Sequence, residues 1–158
     1  MTLAFDVGDF EAFANDANLT ARKLQNYIKQ AALEVGFAIQ GRAVINAMPV
    51  HKTGTLEKSI GPPKVKATGK TVTMTLPVTA VSDGGFPYPI VIEGGRGPIV
   101  PIRAKFLRFE IGDKVIYTKY VKPYTGIHFF SRAVDATEPE VTEILGRYLD
   151  AAIQFMRA

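Results

Sequence analysis

The chain has no cysteine among its 158 residues and only two histidines, His51 and His128. Without cysteine there is no disulfide framework and no thiolate chemistry. Neither histidine stands in an H-x-x-x-H spacing, so no zinc ligand set is spelled out. His128 sits among apolar neighbours and reads as a packed, hydrogen-bonded residue; His51 falls in a turn. No D-x-D-x-D calcium loop occurs, and Ser59, Ser82 and Ser131 lack the flanking glycines of a nucleophile elbow. Gly94-Gly95-Arg96-Gly97 does not continue into G-K-[ST], and G-x-G-x-x-G is absent, so nucleotide binding is not expected. No apolar run approaches the roughly 18 residues of a membrane span. The first residues, M-T-L-A-F-D-V-G-D-F-E, carry acids where a secretion signal needs bases. No repeat or low-complexity tract is present. The expectation is a chain that is not an enzyme and takes no cofactor, metal or membrane; a carboxylate site assembled by folding, as in a nuclease, is the rival enzymatic reading.

What is present suits one globular domain spanning 1–158. Hydrophobic residues make up 47% and charged residues 22%, enough for a real core. The formal charge of +4 mildly favours an acidic or nucleic-acid neighbour.

The stretch from Met48 to Ile60 divides the chain. Before it, Leu24, Ile28, Ala31, Val35, Ala38, Arg42 and Ile45 recur at helical steps, predicting one long helix over Leu19–Ala47, with Asn18 or Thr20 as cap. Gly36 and Gly41 each cost such a helix about 1 kcal/mol, or permit a close backbone approach. Arg42 falls on the apolar stripe and is expected to snorkel from its edge. Pro49 stops the helix. Thr53-Gly54 reads as a tight turn leading to a strand, with Leu56 and Ile60 anchored in the core and Glu57 and Lys58 in water. Residues 1–17, with Phe5, Phe10 and Phe13, read either as a strand and short helix or as an arm that docks on the core or on a neighbouring subunit.

Behind the divide, Lys64–Thr68 and Thr71–Thr79 predict a hairpin turning at Gly69-Lys70, with Val72, Met74, Leu76 and Val78 on one face. Pro77 marks an edge or an exit. Residues 82–102 read as irregular loop around one short strand, Tyr88–Glu93; so long a segment points to an interaction element. Lys105–Ile111 and Lys114–Val121 predict a second hairpin turning at Gly112-Asp113. Arg103, Lys105, Arg108, Lys114, Lys119 and Lys122 make it the basic part of the chain. Its Phe106, Phe109, Tyr117 and Tyr120 suit a single-strand stacking surface, but the reading favoured is core or cross-strand pairing. Thr137-Glu138-Pro139-Glu140 has the form of a capping box, starting a C-terminal helix over 137–158. Its apolar positions Val141, Leu145, Tyr148, Ala152 and Phe155, widened by Ile144, Leu149, Ile153 and Met156, fit contact with a partner as well as the core. The fold class expected is α+β: long N-terminal and C-terminal helices packed on an antiparallel sheet built from two hairpins.

Four segments taken in order resemble a known family. They are Pro49, Val50, Thr53, Gly54, Leu56, Ser59 and Ile60; Tyr88, Glu93 and Gly95; Pro101, Lys105, Leu107 and Phe109; and Phe130 and Ala133. This series resembles the tail-completion or minor tail proteins of long-tailed bacteriophages and prophages, which act at the head–tail junction. Lys52, with His51 as an extra residue, stands where that family usually has an acid before Thr-Gly, and Gly94–Pro98 is richer in glycine than the family pattern. The resemblance implies a structural virion protein that forms a homo-oligomeric ring, a hexamer, at the head-proximal end of the tail. It implies other tail proteins and head-connector proteins as partners, and assembly in the bacterial host cytoplasm before incorporation in the virion. Pro49, Thr53, Gly54, Leu56 and Ser59 are then a structural turn. Leu3–Phe13 and the loop Asp83–Pro101, with Phe86, Tyr88, Glu93 and Arg96, are candidate subunit contacts. Arg103, Lys105, Arg108 and Lys119 are candidates to face the phage DNA end through phosphates. The rival readings are a nucleic-acid-binding module built on the basic 103–122 hairpin, and another minor capsid or tail-tube-like subunit.

Overall fold

The long helical periodicity becomes α1, Ala21–Ala47. The computed structural model describes residues 2–6, 21–50, 53–69, 71–111 and 113–157. The expected caps Asn18 and Thr20, together with Phe10, Phe13, His51 and Lys52, lie outside the described residues. By its internal contacts the chain divides into two units, one of residues 1–80 and 129–158, the other of residues 81–128.

In the first unit α1 buries Leu24, Ile28, Ala31, Ala32, Val35, Ile39, Ala43 and Ala47. Beyond Val35 the buried positions run in steps of four. A strict four-step row drifts round a helix of 3.6 residues per turn. Ile45, expected on the stripe, is therefore turned out and 62% exposed, and Arg42 lies at the stripe's flank.

Three strands, β1 (Thr2–Asp6), β2 (Lys64–Thr68) and β3 (Thr71–Thr75), form an antiparallel sheet in the order β1-β3-β2. Residues 2–6 thus pair with the chain's own β3, and Leu3 and Val65 share Met74 as register partner. The rest of the expected arm lies outside the described residues. Being central, β3 buries Val72 and Met74, and Leu76 follows them into the core. Pro77 stands just past the strand end, where its missing donor costs no ladder bond; its carbonyl accepts from Gly61 N–H at 2.9 Å. β2 and β3 both pack on α1. The hairpins thus form as expected, but in two separate sheets.

Between α1 and β2 the chain makes a 3-10 turn, Met48–Val50, and then a short helix α2, Thr55–Ser59, where the sequence suggested only a turn into a strand. Leu56 and Ile60 are buried as expected. Lys58 is exposed, but Glu57 is half-buried.

The C-terminal helix α4 runs Phe129–Arg157 and packs against α1. It begins eight residues before the start expected at Thr137, because Phe129, Phe130 and Ala133 gain enough burial to carry the helix upstream. Pro139 is consequently inside the helix, where proline costs about 3 kcal/mol relative to alanine. Thr137, two residues before it, is fully buried; its hydroxyl donates to the Ala133 carbonyl at 2.7 Å and accepts from Arg42 Nη1 at 2.7 Å. Arg42 Nη2 also binds Glu140 Oε1 at 2.5 Å. One guanidinium from α1 thereby clasps α4 on both sides of its proline.

Gly36 and Gly41 have different surroundings. A Cβ on Gly36 would stand 2.5 Å from Pro63 Cβ, so this glycine lets the segment leading into β2 lie directly on α1. A Cβ on Gly41 meets nothing within 4 Å. Gly41→Ala is expected to stabilise the chain by about 1 kcal/mol, while Gly36→Ala destabilises it by about 1–3 kcal/mol through overpacking. Urea denaturation midpoints check the opposite signs.

Farther along, Glu34 on α1 pairs with Arg147 on α4. The Arg147 hydrogen bond holds the Glu34 carboxyl below its ordinary pKa; slight burial opposes this, and the Tyr148 hydroxyl and the Arg147 charge add to it. A carboxyl with a depressed folded-state pKa adds stability above its unfolded pKa and loses it as pH falls through the folded value. The stability gap between wild type and Glu34→Gln should therefore be present at neutral pH and close on acidification below the ordinary carboxylate range. Paired denaturation curves across pH measure it.

Candidate interaction surface

The second unit begins with a tight turn. Ser82 Oγ accepts from Phe86 N–H at 3.2 Å, and Gly85 N–H donates to Ser82 O at 2.8 Å. The segment expected as a strand at Tyr88–Glu93 is instead helix α3, Pro89–Gly94. Pro89 occupies its first position, where the ring presets φ and no donor is lost, and this outweighs the β-propensity of Ile90, Val91 and Ile92.

α3 ends where two glycines cross. Gly95 has φ 77° and ψ −172°, a region open essentially to glycine alone. A Cβ there would fall on the Tyr124 carbonyl oxygen and within 2.6 Å of Gly126 N; a Cβ on Gly126 would fall on the Glu93 carbonyl oxygen. Around this crossing, Arg96 and Tyr124 exchange backbone hydrogen bonds at 2.8 and 2.9 Å, and Ile99 and Val121 do so at 3.0 and 2.9 Å. Arg96 Nη1 adds a bond to the Lys122 carbonyl at 3.1 Å. Ile127 N–H and His128 N–H donate to the carbonyls of Ile92 and Glu93. His128 has φ 52° and is exposed, not in the packed position expected of it.

Two strands, β4 (Leu107–Ile111) and β5 (Lys114–Thr118), complete the unit as an antiparallel hairpin. Its aromatic residues are not core. Phe106 is 41%, Tyr117 64% and Tyr120 50% exposed, and Phe109 is half-buried. A two-stranded ribbon buries neither face by itself, so strand spacing alone could not put these rings inside. Val81, Phe86, Ile90, Ile99, Val100 and Ile102 are exposed as well, Ile102 at 93%.

The residues singled out from the sequence now take their places. Gly54 caps α2 at φ 71°, Thr53 Oγ1 and Thr55 Oγ1 lie 2.7 Å apart, and Ser59 Oγ donates to the Leu56 carbonyl at 2.7 Å. Pro49 is an exposed member of the 3-10 turn. These residues hold a chain bend in place. Of the loop residues, Phe86 is exposed, Tyr88 caps α3, Glu93 is half-buried, and Arg96 straps its own unit together. Arg103, Lys105, Arg108 and Lys119 are all exposed. Lys105 Nζ and Lys119 Nζ lie 5.9 and 5.4 Å from the Phe106 ring centre, and Arg108 pairs with Glu110 at 2.7 Å. Six of the 19 Lys and Arg but only two of the 15 Asp and Glu fall in 103–122, leaving 13 of each elsewhere; this segment therefore equals the chain's whole +4.

Sequence reasoning missed Gly126, whose partner is 31 positions away at Gly95, and the Thr137 and Glu140 ends of the Arg42 clasp. It also gave no sign of a groove of about 560 Å³ lined by Arg42, Ile45, Asn46, Arg132, Asp135 and Ala136 in the first unit. Among the described residues no group of three His, Asp or Glu side chains could hold a metal ion, and no helix is long and apolar enough to cross a membrane. No protein-family model, curated protein or solved structure matches the chain.

Replacing either crossing glycine should loosen the 81–128 unit selectively. Gly95→Ala is expected to cost about 2 kcal/mol or more, from a forbidden backbone region and a backbone clash. Hydrogen exchange should rise across 89–127 while the α1 and α4 amides keep their protection.

Proposed function

We propose that the chain is a structural subunit of a long-tailed phage or prophage particle, assembling as a homo-oligomeric ring at the head-proximal end of the tail. The ordered series of four motif segments, from Pro49 to Ala133, suggests this reading. The observation that carries it is the run of exposed apolar side chains along 81–102. A lone soluble domain rarely leaves so many apolar groups in water, and subunit contacts would cover them. Identical subunits joined by heterologous contacts close into a ring when the rotation closes. The ring's other neighbours would be tail proteins and the head connector, and its place the virion after assembly in the host cytoplasm.

The test is native mass over a concentration series, with negative-stain images, alone and in the presence of assembled tails. A closed ring, expected at six subunits, supports the reading, as does ring closure on the tail end only. A monomer that neither closes nor binds tails sinks it. Ile102→Glu, at the most exposed apolar position, is expected to abolish ring closure while leaving the monomer's helical signal unchanged.

A further inference from the structure

The β4–β5 register separates two faces. Leu107 opposite Thr118 and Phe109 opposite Ile116 share one, where Leu107, Phe109 and Thr118 are half-buried. Arg108 opposite Tyr117 and Glu110 opposite Val115 share the other, and all four are exposed. Just beyond the strand ends, where the alternation of that face continues, come Phe106 and Lys119, in contact through the ammonium 5.4 Å from the ring centre. The open face is thus a square, with rings at Phe106 and Tyr117 on one diagonal and cations at Arg108 and Lys119 on the other. Lys105 flanks it, and the segment around it carries the chain's net positive charge.

We infer that this face is a binding platform for single-stranded nucleic acid. Rings in water on a flat sheet offer π-faces to unpaired bases, and interspersed cations match the phosphates between them. Duplex would use the cations but not the rings, since its bases are already stacked; this is why the rings select the single strand. Glu110 does not close the face. Its pair with Arg108 is exposed on both sides and exchanges readily for a phosphate. The ammonium groups at Phe106 turn outward to phosphates as a base takes their place on the ring. The hairpin alone supplies this face, whether or not the chain assembles into the ring proposed above.

The test is fluorescence anisotropy of a labelled oligothymidylate of roughly 20 nucleotides against the full chain, beside a duplex of equal length, from about 50 to 200 mM salt. Expected is saturable binding of the single strand, at least about ten-fold tighter than the duplex, with a log–log salt slope near −2 from about three phosphates. Tyr117→Ala should weaken it about ten-fold at unchanged slope; Lys119→Ala should make the slope shallower by about 0.7. Both positions are exposed, so both variants fold, and circular dichroism verifies it. No binding at about 50 mM salt overturns the inference. Equal affinity for duplex with Tyr117→Ala unaffected also overturns it, leaving only phosphate attraction. Native mass is read on the same samples; a Tyr117→Ala effect on subunit association with none on oligonucleotide binding assigns the face to protein and overturns it too.

Discussion

A proline in the middle of the longest helix is the constraint on which the first unit depends. Pro139 removes one backbone bond from α4 and crowds the carbonyl four residues before it. Left alone, that turn would kink or end the helix. It continues because residues on both sides of the proline, from Phe129 to Ala152, are buried, and α1 adds Arg42, whose guanidinium reaches the Thr137 hydroxyl and the Glu140 carboxylate, while Thr137 ties itself to Ala133. The same clasp explains why Arg42 stands at the flank of the apolar stripe: it is half-buried there, and its head has charged and neutral acceptors in reach. With α4 unbroken, Phe129 and Ile144 both enter one core with Val35 and Ile39.

The second unit is organised differently, by backbone crossing instead of side-chain burial. Gly95 and Gly126 bring two chain segments to a separation that no Cβ permits, and paired carbonyls and amides from Arg96 to Val121 extend the contact. Hydrogen bonding gives this unit its shape without requiring a large apolar interior. That is why its valines, isoleucines and aromatics can remain at the surface, available to something else. In the first unit the apolar residues hold the fold; in the second they are largely spare.

The legibility of the sequence follows the same division. Where burial decides the structure, periodicity reported it: the spacing of Leu24, Ile28 and Val35, the alternation of Val72 and Met74, and the anchoring of Leu56 and Ile60 were all readable. Where a single long-range interaction decides, local pattern misled. Thr137-Glu138-Pro139-Glu140 has every feature of a helix start, but burial of Phe129, Phe130 and Ala133 carries the helix upstream, and Arg42, 95 positions away from Thr137, adds a hydrogen bond there. Pro89 turned a β-branched run into a helix. The rings at Phe106, Tyr117 and Tyr120 have strand spacing, but spacing says which face a residue shares and not whether anything covers that face. The motif residues Pro49, Gly54 and Ser59 were legible as a bend, though not as one containing a helix.

The two kinds of exposed surface in 81–128 are chemically distinct, and this bears on what each can do. Val81 to Ile102 is apolar with few charges, the composition of a face that another protein surface dehydrates. The open face of β4–β5 mixes two aromatic rings with cations that would each have to be desolvated or paired if an apolar partner covered them, at a cost such contacts rarely recover. A polyanion satisfies those cations instead of stripping them, and unpaired bases cover the rings. One unit thus carries exposed apolar side chains along 81–102 and, on β4–β5, exposed rings interspersed with cations.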